Sequence, residues 1–223
     1  MTDGVLFNIN GDSVQTLEIL FLTTMIMLVP AIVVMMTSFT RYIISLSFLR
    51  NALATQSTPP NMVLVGIALF LTLFTMAPVI NQINTEAYQP YVNEEIDQVE
   101  FLETAQVPLK RFMVNNTRPS SLSLFCDLGG EELPETLEER MDLPLTVIVP
   151  AFATSELTHA FQIGLYLYLP FLLIDMIVAT TLMAMGMMML PPSMISTPFK
   201  LLLFISLNGW ELLFSTLVHG FIT

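Results

Sequence analysis

The sequence predicts an all-α integral membrane protein, with four long apolar helices arranged as two hairpins and an acidic helical insertion between them. Of the 223 residues, 54% are hydrophobic and only 12% are charged, whereas a soluble domain carries about 25% charged residues. Three long stretches contain no Asp, Glu, Lys or Arg: residues 19–40, 51–85 and 176–199. Each stretch is long enough to cross a bilayer as a helix, which needs roughly 20 apolar residues.

Prolines mark where several of these helices bend, begin and end. Pro30 lies within the first apolar helix and predicts a kink there. Pro59-Pro60 precedes the second helix, and Pro191-Pro192 follows the third, because proline interrupts helical hydrogen bonding. The four predicted apolar helices are residues 17–39, 62–83, 161–190 and 199–221.

The segment 84–142 differs from the rest of the chain in its charge. It contains thirteen acidic residues and four basic ones, a net charge of 4 minus 13, or −9, out of −12 for the whole chain. Apolar residues recur at helical spacing between residues 101 and 113, which predicts an amphipathic helix. Residues 129–139 are interpreted as a flexible acidic loop. We therefore divide the chain into an N-terminal hairpin (1–83), an acidic insertion (84–142) and a C-terminal hairpin with a methionine-rich loop (143–223).

Basic residues predict the orientation of these helices. Arg41 and Arg50 lie in a connector between the first two helices, and Lys200 lies in the connector between the last two. Basic connectors stay on the cytoplasmic side, so both termini and the acidic insertion are expected outside. The first basic residue is Arg41, so the basic segment of a secretory signal is missing, and the first apolar run is interpreted as a retained helix.

Composition and motifs exclude several classes of function. A net charge of −12 with only seven basic residues provides no basic patch for nucleic acid. Cys126 is the only cysteine, so an intrachain disulfide or a multi-thiolate metal site is impossible. His159 and His219 lie far apart, and neither a His-Glu-x-x-His nor a Gly-x-Ser-x-Gly motif occurs. We predict no active site, no cofactor and no metal.

Five charged residues lie inside or beside the apolar segments. Asp175 and Glu211 interrupt apolar helices, where an unpaired ion costs several kcal/mol. Glu156 and Lys200 lie near helix ends. One interpretation is an ion or proton path, and the other is pairing between helices or subunits. We favour pairing, with Arg41 as a further participant, and we predict that Glu156 and Lys200 pair in the assembled protein, within or between subunits.

Methionines cluster near the end of the third predicted helix. Six of the sixteen fall in twelve residues: Met183, Met185, Met187, Met188, Met189 and Met194. Three consecutive residues of a helix cannot share one face, because neighbours point about 100° apart. Composition alone favours ordinary packing for these flexible side chains.

Short motifs along nearly the whole chain form a specific set. In the N-terminal half they are Met35-Met36-Thr37-Ser38-Phe39-Thr40-Arg41, Arg50-Asn51-Ala52-Leu53, Pro59-Pro60-Asn61 and Glu86-Ala87-Tyr88-Gln89-Pro90. In the C-terminal half they are Pro150-Ala151-Phe152, Ser155-Glu156-Leu157, Ala160-Phe161-Gln162-Ile163-Gly164, Leu169-Pro170-Phe171, Ile174-Asp175, Met185-Gly186-Met187-Met188-Met189, Pro191-Pro192, Pro198-Phe199-Lys200-Leu201 and Gly209-Trp210. Together they resemble the FliP family of type III export gates. Only the acidic loop lies outside the resemblance.

This resemblance implies an assembly and a location. It implies a ring-like or helical homo-oligomer, expected to be a pentamer, that associates with FliQ, FliR and other export-apparatus proteins. The expected place is the flagellar basal body in the bacterial inner membrane, in contact with lipid. The expected function is a pore for unfolded flagellar export substrates, without nucleic acid and without catalysis. In such a gate the helical hairpins are tilted, so the true number of lipid crossings is expected to be lower than four.

The resemblance also assigns a role to the methionines. It implies a pore gasket formed by Met187, Met188 and Met189, with Met185 beside them. One position departs from the family pattern, because Asn208 precedes Gly209-Trp210 where the family usually has Asp. The alternatives to a flagellar gate are an injectisome export-gate subunit and a small ion channel or transporter.

Overall fold

The computed structural model describes residues 5–9, 12–187 and 189–221, and the described chain is helical apart from one short hairpin. Strands β1 (Val5–Ile9) and β2 (Asp12–Gln15) pair antiparallel. This hairpin was not predicted from the sequence. The helices are α1 Thr16–Met36, α2 Phe39–Ala52, α3 Asn61–Ile83, α4 Gln89–Val92, α5 Gln98–Asn116, α6 Pro119–Gly129, α7 Leu137–Asp142, α8 Leu145–Ala184, α9 Pro192–Ser206 and α10 Gly209–His219.

The connector that was predicted after the first apolar helix is itself helical. Helix α1 ends at Met36, and α2 begins at Phe39 with a change of direction of 62°. Pro30 lies within α1 without ending it. Arg41 is therefore a helical residue at the start of α2, where it is 3% exposed. The first apolar helix thus ends three residues earlier than the predicted residue 39, and the connector after it is a helix, residues 39–52, that packs on the rest of the chain.

The second apolar helix is longer than the sequence indicated. It runs from Asn61 to Val92 as α3, a π-helical segment at Asn84–Tyr88, and α4. Pro60 precedes its first residue, in agreement with the predicted start. Pro78 is accommodated inside α3. The helix thus continues past residue 84, where the sequence analysis began the acidic insertion.

The third apolar helix, α8, has 40 residues and begins 16 residues earlier than predicted, at Leu145 rather than at residue 161. Pro150 and Pro170 lie inside it. It ends at Ala184 because Gly186 takes a left-handed conformation with φ of 75°. The Met187 N–H donates to the Leu182 carbonyl and the Gly186 N–H to the Met183 carbonyl, both at 3.0 Å. This is a Schellman motif, so the methionine-rich segment leaves the helix.

The fourth apolar segment is broken in the middle. Helices α9 and α10 meet at 64°, and Asn208 between them is left-handed with φ of 47°. Within the described residues, two helices are long and apolar enough to cross a membrane, or up to four if each bent pair counts as one span. The predicted helical fold is confirmed, whereas the two bends were not predicted.

The segment between the two hairpins contains α5, α6 and α7. Asp97 caps α5 by accepting hydrogen bonds from the Val99 and Glu100 backbone N–H groups, both at 2.9 Å. Helix α5 includes the predicted residues 101–113. The predicted loop over 129–139 is shorter in the structure, because α7 begins at Leu137.

A single buried cluster joins these elements, and α2 packing on α8 is its centre. From α2, Tyr42, Leu46 and Leu49 are no more than 1% exposed, and Phe152 of α8 is equally buried. The two helices approach closely at Gly164, where an added Cβ would lie 2.5 Å from the Phe48 ring. Glycine at this position is therefore required by packing.

The close approach at Gly164 gives the first prediction. Gly164→Ala should lower the free energy of unfolding by about 1–3 kcal/mol, because the added methyl group must displace the Phe48 ring. The matched control is Gly66→Ala in α3, where no heavy atom lies within 4 Å of the added Cβ. That control should be neutral or stabilising by up to about 1 kcal/mol. Thermal unfolding of the purified protein in detergent measures both, and equal effects of the two variants would contradict the packing argument.

Candidate functional site

Arg41 and Glu156 form an ion pair in which both side chains are buried. The Arg41 Nε donates to Glu156 Oε2 at 2.8 Å, and Nη2 donates to Oε1 at 2.5 Å. The two side chains are 4% and 0% exposed. A bidentate guanidinium–carboxylate pair is the geometry that best offsets the desolvation of both ions. The pair connects the start of α2 to the N-terminal half of α8.

Arg41 also anchors the C-terminal end of the described chain. Its Nη1 donates to the Gly220 carbonyl at 2.7 Å, and its Nη2 lies 3.0 Å from His159 Nδ1. Its guanidinium carbon lies 3.6 Å from the centre of the Phe221 ring, a cation–π contact. Phe221 in turn contacts the ring of Tyr42. One arginine therefore holds together α2, α8 and the residues that follow α10.

A second ion pair lies at the other end of α8. The Lys200 Nζ donates to Asp175 Oδ2 at 2.7 Å and to the Ala52 carbonyl at 3.0 Å. The Ser196 hydroxyl donates to the other carboxylate oxygen of Asp175 at 2.6 Å. Ala52 is the last residue of α2, so the ammonium group lies at the negative end of that helix. The network joins α8, α9 and α2.

The predicted Glu156–Lys200 pair is wrong within the chain, because each residue has another partner. Both Glu156 and Asp175 lie on α8, which is a continuous helix. Their separation of 19 residues corresponds to about 28 Å along the helix axis. Helix α9 follows the turn after α8 and lies beside the C-terminal half of α8, so Lys200 reaches Asp175 and not Glu156.

The remaining predicted charge, Glu211, lies in the first turn of α10 and is exposed. No described residue forms an ion pair with it; its position at a helix N-terminus is electrostatically favourable. Cys126 is buried in α6, and burial raises the pKa of its thiol. Among the described residues, no group of three or more His, Cys, Asp or Glu side chains is placed to hold a metal ion.

The methionine-rich segment forms the exposed turn between α8 and α9. Met185 and Met187 are 60% and 43% exposed, and Met189 is 99% exposed. Met188 lies outside the described residues. Pro191 precedes the first residue of α9 and limits the turn on that side. Apolar side chains with this exposure in one turn are typical of a surface that another molecule covers.

Five partners in these networks were not predicted from the sequence: Ala52, His159, Ser196, Gly220 and Phe221. Two of them act through backbone carbonyls, which carry no signal in a sequence. Ser196 lies four residues before Lys200 and so shares its helix face, which was a usable signal. Phe221 was predicted only as the end of an apolar helix.

Comparison with known proteins identifies the family. The FliP family pattern matches residues 22–217 of this chain. The chain belongs to the FliP family. The flagellar biosynthetic protein FliP of Bacillus subtilis (strain 168) is 51% identical over 207 residues, which cover 93% of this chain and 92% of that protein. The FliP of Pectobacterium carotovorum is 49% identical over 94% of this chain and 79% of its own length. The FliP of Aquifex aeolicus is 44% identical over 95% of this chain and 88% of its own length.

Membership of the FliP family decides several points that the sequence analysis left open. FliP proteins are membrane proteins of the flagellar export apparatus and are not enzymes, as the sequence predicted. Both ion pairs therefore lie in a protein of that apparatus, the first buried on both sides and the second with the Asp175 side chain 41% exposed. The Arg41–Glu156 pair, Asp175 and Lys200 all fall within the matched residues 22–217.

The geometry of the two networks gives the second prediction. Arg41→Gln and Glu156→Gln should each destabilise the protein by about 3–5 kcal/mol, because each leaves a buried ion without its partner. The double variant should lose less than the sum, with a coupling of roughly 1–3 kcal/mol. The free energy of unfolding in detergent is the measurement.

The control is a second double-mutant cycle, which combines Glu156→Gln with Lys200→Gln. These side chains belong to separate networks about 28 Å apart, so their losses should add within about 0.5 kcal/mol. A strong coupling in the control cycle, together with additive losses for Arg41 and Glu156, would reverse the assignment of partners.

Proposed function

We propose that this protein is a pore-forming core subunit of the flagellar type III protein export gate, which conducts unfolded flagellar subunits across the inner membrane. The observation that carries the proposal is the exposed methionine turn between α8 and α9, in a chain that belongs to the FliP family. The turn is apolar, and its Met189 is 99% exposed. Such a surface requires a partner, and identical turns of neighbouring subunits around a pore would supply it.

Methionine suits a seal that must open for chains of any sequence. A pore for unfolded chains cannot rely on fixed hydrogen-bond partners, yet it must exclude ions when no chain is present. Thioether side chains are apolar, unbranched and flexible, so they close on one another and repack around a passing chain. We assign this gasket to Met185, Met187, Met188 and Met189.

The proposed assembly is a homo-oligomer, a pentamer, with FliQ and FliR. Large apolar side chains remain exposed on several helices of the single chain, such as Phe70 at 77% and Phe74 at 70% on α3. Lipid and neighbouring subunits would cover them. The acidic insertion, residues 84–142, is proposed to face outside, because basic connectors favour the cytoplasmic side. Purification tests this assembly: a stable complex with FliQ and FliR supports the gate, and a lone small oligomer with ion flux contradicts it.

The buried charges favour a scaffold over an ion path. Asp175 is bonded to Lys200 and Ser196, so its carboxylate already has two partners. Glu211 lies exposed on α10. No described residue connects the two as a relay. We therefore prefer the export gate to the ion-channel alternative.

The gasket gives the third prediction. Replacing Met187, Met188 and Met189 together by Ala should leave folding largely intact, because the exposed Met187 and Met189 side chains contribute little packing to the single chain. The smaller side chains should widen the closed gate, so cells should leak ions or small solutes while export continues at least in part. Ion conductance of the assembled complex in liposomes is the measurement. The matched control is Met62→Ala on α3, which is 88% exposed and should not change conductance. A triple variant that assembles and conducts no more than the parent would disprove the gasket.

The orientation gives the fourth prediction. The parent chain should not react with an impermeant maleimide, because its Cys126 is buried. Burial also raises the pKa of the Cys126 thiol, so the unreactive protonated form predominates at neutral pH. Glu135→Cys should then label from outside intact cells. Ser57→Cys, before the second apolar helix, should label only after the cells are opened. The reverse pattern would invert the topology.

A further inference from the structure

The exposed side of α6, the loop after it and α7 combine leucine with carboxylate side chains. We call this the acidic leucine surface, and its members are Leu124, Asp127, Leu128, Glu131, Glu132, Leu133, Glu135, Leu137 and Glu138. It lies within the segment of high negative charge, far along the chain from the methionine turn. It also includes the acidic loop, which the family motifs in the sequence do not cover.

The leucines of this surface are open to solvent. Leu124 and Leu128 share one face of α6, since they are four residues apart, and they are 49% and 72% exposed. Leu133 and Leu137 are 45% and 47% exposed. A single exposed leucine needs no explanation, but four between residues 124 and 137 of a highly charged segment form a surface that favours an apolar partner.

The charge of the same stretch is strongly negative. Residues 119–142 contain seven acidic residues and one basic residue, a net charge of 1 minus 7, or −6. None of the seven carboxylates forms an ion pair with another residue in the described part of the chain. The basic residue, Arg140, is held by backbone carbonyls, since its Nε donates to the Pro134 oxygen at 3.2 Å.

The surface is also held in a defined shape. Gly130 ends α6 in the left-handed conformation with φ of 73°, and the Glu131 N–H donates to the Cys126 carbonyl at 3.0 Å. Thr136 and Glu139 form a reciprocal capping box at the start of α7. The leucines and carboxylates are thus presented by ordered backbone, which lowers the entropic cost of binding.

We propose that the acidic leucine surface docks a basic amphipathic helix of a partner protein. Charge complementarity selects this occupant, because leucine-sized apolar side chains flanked by Lys or Arg match both properties of the surface. The same surface of a second copy would place one net charge of −6 against another. An anionic membrane would repel this surface in the same way. The proposal is independent of the methionine gasket, so either can fail alone.

Site-specific photocrosslinking tests the docking. The full chain carries a benzophenone amino acid in place of Leu128 and is held in nanodiscs of phosphatidylcholine. The probe is a helical peptide of about 18 residues with a leucine face and a lysine face, so five turns are available for contact. It should crosslink at position 128, and the yield should fall as salt is raised, because exposed charges are screened.

Two controls make the result specific. The same peptide with Glu in place of Lys should give a yield at least about tenfold lower, because attraction to the exposed carboxylates is replaced by repulsion. Replacing Glu131, Glu132, Glu135 and Glu138 together by Gln should lower the lysine peptide's yield by a similar factor, while thermal unfolding stays unchanged. A benzophenone at the exposed Gln106 of α5 should crosslink little.

Three outcomes would overturn the proposal. Equal crosslinking of the Lys and Glu peptides would show that charge does not select the partner. An unchanged yield in the Gln variant would place the peptide elsewhere. Equal yields at positions 106 and 128 would show a peptide that binds the bilayer and reaches the protein without docking.

Discussion

The structure depends on one constraint, which is that a charge buried among apolar helices must be paired. Arg41 and Glu156 satisfy each other through two hydrogen bonds in a site from which water is excluded. An isolated carboxylate there would cost several kcal/mol. Of the other guanidinium N–H groups, one on Nη1 donates to the Gly220 carbonyl, and the Phe221 ring covers a face of the guanidinium. Elements that are distant in the sequence are thus held in one arrangement, because any displacement would leave an ion unpaired.

The sequence predicted the apolar helices and the cost of their charges, but not the contacts between them. Hydropathy and proline pairs located the helices because both are local properties. The partner of Lys200 is not local, since it depends on which half of α8 lies beside α9. The bend at Asn208 and the helical nature of residues 39–52 depend on packing for the same reason. The β1–β2 hairpin was missed although Asn10-Gly11, a common hairpin dipeptide, lies between the two strands in sequence.

The distribution of charge divides the molecule by environment. Within the apolar helices the buried charges occur as pairs, each held by hydrogen bonds to more than one element. In residues 119–142 the carboxylates are exposed and unpaired, and the backbone instead is ordered by caps. A solvated carboxylate costs the fold little free energy, so this segment can keep a strong negative electrostatic potential for the recognition of a partner. The same residue type therefore fixes the fold at Glu156 and creates a binding surface at Glu131.

The proposed methionine seal requires a frame that does not deform with it. Asp175, Lys200 and Ser196 join α8 to α9 just before and just after the methionine turn. Between them, the left-handed Gly186 ends α8 and Pro191 fixes the start of α9. Side chains in the turn can therefore change rotamer while the two helices keep their positions. The limits of the turn are thus held by the Gly186 and Met187 N–H bonds, by Pro191 and by the Lys200–Asp175 ion pair.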